Sequence, residues 1–126
     1  ILQELSELPE AIRRQQEAVR AARLAVDEAR TEAENAEALL MAEITAATDD
    51  RTGKPVFSND TARKAELARR KTTDEAYRAA AAKLAEAQQA LDTAQFDLDL
   101  LMNRFSATRA WARLTTERLA LIGGGN

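Results

Sequence analysis

Apolar residues recur every seven positions in two long stretches of this chain, and this repeat restricts the folds that it can adopt. The rows of the first stretch contain Leu5, Ile12, Val19, Val26, Ala33, Leu40 and Ala47, and Leu8, Ala22, Ala29 and Ala36. The rows of the second contain Tyr77, Leu84, Leu91, Leu98, Phe105, Ala112 and Leu119, and Ala80, Ala87, Ala94, Leu101, Thr108 and Ile122. Heptad repeats are typical of helices that pack along a shared seam. The sequence therefore predicts an all-α fold.

Both repeats contain polar interruptions. In the first stretch Gln15 and Glu43 occupy seam positions, and the neighbouring Ile44 can replace Glu43 after a small rotation of the helix. At the start of the second stretch the repeat meets Arg63 and Arg70, which predicts a stutter there. The residues expected to take over the seam at that point are Ala65, Ala68, Thr72 and Ala76.

We predict a single helical domain over residues 1–126, with bounds set by proline, glycine and capping residues. Pro9 is tolerated best near a helix start, so residues 1–8 are expected to form a separate turn or short helix. Gly53 and Pro55 interrupt helix formation between the two stretches. The predicted elements are a first helix over about 9–48, a tip loop at 49–60, a second helix over about 60–122 that can break near 106–108, and a flexible tail at 123–126.

The distribution of charge favours an antiparallel pairing of the two helices. Folding the chain about Lys54 brings the acidic stretch 27–43 opposite the basic stretch 63–81. The same fold brings the basic stretch 10–24 opposite residues 84–98, which contain acidic residues and no basic ones. Opposite charges along facing helices specify orientation and register. The predicted fold is thus a long antiparallel helical hairpin, a coiled coil that assembles further into a dimer or bundle.

The chain lacks the residue types that most active sites use. It has no Cys and no His, which excludes thiolate and imidazole chemistry, and no stretch predicts a closed pocket for its carboxylates. We therefore expect no enzyme activity, no metal and no cofactor. No apolar run approaches the roughly 20 residues that span a bilayer, and the N-terminus does not resemble a signal peptide, so no membrane association and a cytoplasmic location are expected.

The second helix is expected to outlast the first, which leaves residues beyond about 103 with little to pack against. The candidate interface residues there are Arg104, Phe105, Arg109, Trp111, Arg113, Leu114, Arg118 and Leu121. Three explanations remain open for this region. It can fold back as a third helical segment against residues 1–8, it can associate with another copy of the chain, or it can bind an unknown protein or nucleic acid through its arginines.

A second candidate interface lies at the tip of the hairpin, at Lys54, Val56, Phe57 and Arg63. Apolar residues on a loop either pack under it or bind a partner, so Phe57 has two interpretations: a cap on the seam or a contact residue. The nearby basic residues can likewise form a neutralised, solvated face or a binding patch.

Residues Gly53–Asn59, followed by Arg63 and the pair Glu66-Leu67, resemble small predicted coiled-coil proteins of bacteria and their phages, some encoded near recombination genes. The similarity covers about a sixth of the chain and implies an accessory role at most. The sequence thus predicts a coiled-coil scaffold or protein-interaction module that self-associates as a homodimer or higher oligomer. The alternative is a nucleic-acid-binding accessory protein that uses its arginine-rich surfaces.

Overall fold

The computed structural model describes residues 2–124 and consists of three α-helices. These are α1 (Leu2–Ala46), α2 (Asp60–Lys71) and α3 (Glu75–Gly124). Helix α1 packs against α3 in the antiparallel sense, so the predicted all-α helical hairpin is confirmed. The contacts divide the chain into two compact units, one of Ile1–Arg23 with Ala90–Asn126 and one of Leu24–Gln89. The single domain expected from the sequence stays a prediction.

In the unit formed by the two chain ends, the seam lies between the first half of α1 and the second half of α3. Leu8, Val19 and Leu98 are buried there, as their heptad positions predict. The polar seam residue Gln15 donates a hydrogen bond from Nε2 to the Ala94 carbonyl over 2.9 Å. The facing helix therefore satisfies this amide, which removes most of the cost of placing it at a seam position.

In the unit of Leu24–Gln89, the buried side chains of α1 are Val26, Ala29, Ala33, Leu40 and Ile44. Ile44 is wholly buried, whereas the Glu43 side chain is 68% exposed, so the predicted exchange of these neighbours is confirmed. Glu43 instead lies 3.9 Å from Arg70. An ion pair joins Glu37 to Lys71, which agrees with the predicted opposition of the acidic stretch 27–43 and the basic stretch 63–81. Another joins Glu32 to Lys83, just beyond that basic stretch.

The start of α1 differs from the prediction. The helix begins at Leu2 and contains Pro9, so residues 1–8 do not form a separate element within the described part of the chain. A proline inside a helix leaves the carbonyl four residues earlier, here that of Leu5, without its helical partner. Packing compensates for this loss, since Leu8 is buried and Glu4 is bonded to α3.

The second half of the hairpin contains a break that the sequence analysis placed wrongly. The break lies at Thr72–Asp74, between α2 and α3, whereas α3 continues through residues 106–108. The Thr72 and Thr73 hydroxyls bond back to the carbonyls of the preceding turn. Asp74 then caps α3 by accepting the Tyr77 backbone N–H at Oδ2 over 2.8 Å. Hydroxyl and carboxylate groups that compete for backbone partners thus end one helix and start the next.

The expected substitutes in the stutter region are exposed. Ala65, Ala68, Thr72 and Ala76 all face solvent. The residues of α2 that are half-buried instead are Ala62, Arg63, Glu66, Leu67, Arg70 and Lys71. Long basic side chains can cover apolar surface with their methylene stems while their charged ends find acidic partners. The half-buried face of this short helix is therefore not the one that its alanines predict.

The predicted boundaries at the tip and tail also shift slightly. Helix α1 ends at Ala46 and α2 begins at Asp60 after an Asn59 cap, so the connection is residues 47–59. Helix α3 includes Gly123 and Gly124, and the rest of the predicted flexible tail, residues 125–126, lies outside the described residues.

Candidate interaction surfaces

Glu4 connects the start of α1 with the C-terminal half of α3. Its Oε1 accepts a hydrogen bond from Arg104 Nη2 over 2.9 Å, and its Oε2 accepts one from the Thr108 hydroxyl over 3.2 Å. The hydrogen bonds from Arg104 and then Thr108 hold the pKa of Glu4 below its ordinary value. Arg104, a predicted partner residue, is thus engaged within the chain. Thr108 is buried, and its hydrogen bond to Glu4 joins α3 to α1. Helix α3 continues through this residue.

Coverage of α3 stops soon after this connection. Phe105 and Ala112 are still partly buried, but every residue from 113 to 123 is exposed. The apolar residues do not stop with it: Leu114, Leu119, Leu121 and Ile122 are 61%, 64%, 79% and 66% exposed. The prediction that α3 outlasts the cover of α1 is therefore correct, although the uncovered part starts near residue 113 rather than 104.

The last turns of α3, which we call the terminal segment (residues 111–122), present a shallow apolar groove. The groove is lined by Trp111, Leu114, Thr115, Arg118, Leu119 and Ile122. The Thr115 hydroxyl bonds to the Trp111 carbonyl over 3.0 Å, and the Thr116 hydroxyl bonds to the Ala112 carbonyl over 2.9 Å. Because both hydroxyls are turned to their own backbone, they add little polarity to the segment, and Trp111 is 57% exposed beside them.

The arginines of this region fall into two groups. Arg109 lies over the Phe105 ring at 5.6 Å from the centroid, a cation–π contact within α3. Arg113 and Arg118 are exposed, and neither forms an ion pair within residues 2–124. The predicted arginine set is thus divided: Arg104 and Arg109 have partners in the chain, while Arg113 and Arg118 flank the groove with their charge available.

The tip is a tight turn held by backbone hydrogen bonds. Asp49 N–H donates to the Lys54 carbonyl over 2.8 Å, and Val56 N–H donates to the Ala47 carbonyl over 3.0 Å. Gly53 closes the turn with a φ of +69°, a conformation that side-chain-bearing residues rarely adopt. Lys54 and Val56 are exposed on this turn.

Phe57 and Arg63 are used inside the tip. Arg63 Nη1 donates to the Phe57 carbonyl over 3.2 Å, and its Nη2 lies 3.6 Å from Asp60. The Arg70 guanidinium lies 5.9 Å from the centroid of the half-buried Phe57 ring. Of the four tip candidates, Phe57 and Arg63 therefore have internal contacts, and Lys54 and Val56 remain open to solvent.

Most of the basic charge on α2 is neutralised locally. Glu66 accepts hydrogen bonds from Arg69 and from Arg70 Nε, the latter over 2.8 Å. These hydrogen bonds, from Arg69 first and Arg70 second, lower the pKa of Glu66 to about 2. Lys64 lies 3.4 Å from Asp60 on the same helix. This arrangement favours the neutralised face over a basic binding patch at the tip.

The sequence analysis missed two large apolar residues on the outside of α3. Phe96 and Leu100 are 61% and 52% exposed, although Leu98 between them is buried. A second heptad phase in the sequence indicates them, because Phe96, Leu100, Leu114 and Leu121 follow the same spacing on the side of α3 opposite the seam.

Comparison with known proteins gives no relative: no family model matches, and neither the curated proteins nor the solved structures contain a significant match. The resemblance to small coiled-coil proteins of bacteria and phages stays a prediction. Across residues 2–124, no helix carries an apolar stretch of the length that a bilayer crossing requires. In the same residues, acidic side chains do not converge in any group that could hold a metal ion.

Proposed function

We propose that this chain is a non-enzymatic coiled-coil scaffold of the cytoplasm that associates with further copies of itself through the terminal segment. The observation that supports the proposal is that the apolar residues of α3 continue beyond the last residue that is even partly buried. Burial ends at Ala112, while large apolar residues continue to Ile122. Exposed apolar surface of this kind on a helix is a common mark of a protein interface.

The composition of the groove also supports a protein partner. Tryptophan and arginine are enriched at the centres of protein interfaces, and both border this groove at Trp111 and Arg118. Leu114, Leu119 and Ile122 supply the apolar surface around them. A helix that presents such residues at intervals of three and four positions is suited to packing against another helix.

The test is the mass of the protein in solution, measured by light scattering during size exclusion. We expect the full chain to be a dimer or larger, and a chain truncated after Ala112 to be a folded monomer, because the truncation removes no residue that α1 covers. Leu39→Ser is the matched control. Leu39 is 68% exposed on α1, outside the terminal segment, so this substitution should leave the mass unchanged. A monomeric full chain, or a truncated chain that stays oligomeric, would contradict the proposal.

A second candidate function is nucleic-acid binding, which the free charges of Arg113 and Arg118 beside Trp111 favour. Arginine contacts phosphate, and an aromatic ring can stack on a base. Binding of single-stranded or double-stranded DNA or RNA at low salt, with affinity that falls steeply as salt is added, would support this function. Arg113→Ser with Arg118→Ser should then reduce the salt dependence.

A further inference from the structure

Helix α3 carries a second heptad row on the face opposite the seam, which we call the outer stripe. Its positions alternate in steps of four and three residues: Phe96, Leu100, Asn103, Ala107, Ala110, Leu114, Glu117 and Leu121. All eight residues are exposed, and six of the eight are apolar. An apolar repeat of 3.5 residues is the spacing of a helix that packs along another helix.

The outer stripe is separate from the surface that α1 covers. Successive residues of a helix are about 100° apart, so Leu98 and Leu100 point to nearly opposite sides. Leu98 is 8% exposed in the seam, whereas Leu100 is 52% exposed. The stripe also starts well before the terminal segment, since Phe96 precedes Trp111 by four turns of helix. Only Leu114 belongs to both the stripe and the terminal groove.

The charges beside the stripe are segregated along its length. Asp97 and Asp99 flank its N-terminal part, and Arg113 and Arg118 flank its C-terminal part. Arg104 also borders the stripe but is paired with Glu4 of α1, and Glu117 lies in the row itself. Two copies packed in parallel would place acid beside acid and base beside base. Like charges at such positions disfavour the parallel pair. Two copies packed antiparallel would instead place the acidic part of each helix beside the basic part of the other. The flanking aspartates and arginines are therefore complementary between two copies in the antiparallel orientation.

The small residues support close packing in the same orientation. Ala107 and Ala110 lie near the middle of the stripe, and the larger Phe96 and Leu121 lie at its ends. An antiparallel pair with twofold symmetry brings the two alanine pairs together at the crossing, where small side chains allow the helix axes to approach. Phe96 of one copy then lies near the terminal leucines of the other.

We propose that the outer stripe of α3 binds the outer stripe of a second copy in the antiparallel sense. The proposal rests on the self-association inferred above and adds the face and the orientation. The interface is isologous, so each copy contributes the same residues, with Asp97 and Asp99 of one copy near Arg113 and Arg118 of the other. It extends the surface used for association upstream from the terminal segment to Phe96.

Cysteine cross-linking tests the orientation, and the natural chain contains no Cys that would interfere. Three exposed positions on the heptad row can be replaced without removing a large apolar residue: Thr93→Cys, Ala107→Cys and Glu117→Cys. A thiol-specific linker of about 10 Å spans roughly one heptad at 1.5 Å per residue. Leu39→Cys, on an exposed part of α1, is the matched control that should not cross-link.

For the antiparallel pair, we expect Ala107→Cys to cross-link with itself, because the middle of the stripe meets its own copy. Thr93→Cys alone and Glu117→Cys alone should not cross-link, since equivalent ends lie about 25 Å or more apart along the axis, whereas a mixture of the two should. Self-linking of both end variants would indicate a parallel pair and overturn the proposal. If the protein is a dimer but none of the three cysteine variants forms a cross-link, alone or mixed, the outer stripe is not the interface and the proposed function still stands. A monomeric chain would overturn both proposals.

Charge reversal provides an independent measurement. Asp97→Lys with Asp99→Lys should weaken association about tenfold at low salt, because it places like charges together along both edges of the pair. Adding Arg113→Glu and Arg118→Glu to the same chain should restore association, since the segregation of charge is then reversed as a whole. If the two arginine substitutions do not restore the association that the two aspartate substitutions weakened, the antiparallel orientation is contradicted.

Discussion

Truncation of Ile44 measures how much the seam contributes to the stability of the fold. Its side chain is wholly buried near the end of α1. Ile44→Ala removes three carbon groups, which at about 0.8 kcal/mol each corresponds to about 2.4 kcal/mol of lost transfer free energy. The cavity that remains adds to this cost, so we expect the free energy of unfolding to fall by about 3 kcal/mol.

Leu39→Ala is the matched control, because it removes the same number of carbon groups from the same helix. Leu39 is 68% exposed, so only about a third of the transfer term applies and the expected loss is below about 1 kcal/mol. Urea unfolding followed by far-ultraviolet circular dichroism gives both values, provided that the protein concentration is fixed, since association changes apparent stability. Equal losses for the two variants would refute the assignment of Ile44 to the core of the seam.

Three further changes test single features of the helices. Pro9→Ala restores a backbone donor inside α1 and should raise the free energy of unfolding by about 1 to 3 kcal/mol; an unchanged melting temperature would contradict this. Asp74→Ala removes the cap on the Tyr77 N–H and should cost about 1 kcal/mol, whereas Asp74→Asn should cost less. The pKa of Glu66 lies at about 2, below its ordinary 4.5, so its stabilising contribution is present above pH 4.5 and is lost as the pH falls towards 2. Acid titration of helicity should therefore change in that window, and Glu66→Gln should reduce the change.

The seam could be predicted because its signal is repeated many times. Each heptad gives an independent indication of the same face, so single polar residues such as Gln15 do not obscure it. The pairing register was also accessible, since Glu4–Arg104 and Glu37–Lys71 join positions that a fold about Lys54 places opposite each other. Charge along the helices carries this information even though each exposed pair contributes little stability.

Two departures arose where local rules and tertiary contacts compete. Pro9 satisfies the rule for a helix start, yet the packing of Leu8 continues the helix past it. The break at Thr72–Asp74 contains neither glycine nor proline, and its signal is a pair of threonines followed by a capping aspartate. Such a signal is weaker than a glycine or proline, so the absence of both between Asp60 and Ile122 favoured a single helix.

The candidate site was only partly accessible from the sequence. The mismatch in helix length correctly indicated exposed apolar residues such as Leu121. The contact of Arg109 with the Phe105 ring could not be predicted, because it depends on side-chain rotamers. Glu4 could be assigned to Arg104 only once α1 was known to begin before Pro9. The outer stripe is harder to recognise in the sequence, because the stronger seam repeat already accounts for α3 as a helix and a second apolar face overlaps with it.

The interruption at Thr72–Asp74 also determines which changes of length the chain can accept. A continuous helix transmits the rotation of one inserted residue, about 100°, to every later side chain. One residue inserted into α3 after Phe105 would thus turn Leu114 and Leu121 away from their present face. One residue inserted between Thr72 and Thr73 lies at the junction of α2 and α3, where the backbone N–H groups of both threonines already bond three rather than four residues back, so each flanking helix keeps its own phase. Natural variation in length should therefore be found at this junction and at the tip, and be rare within α3.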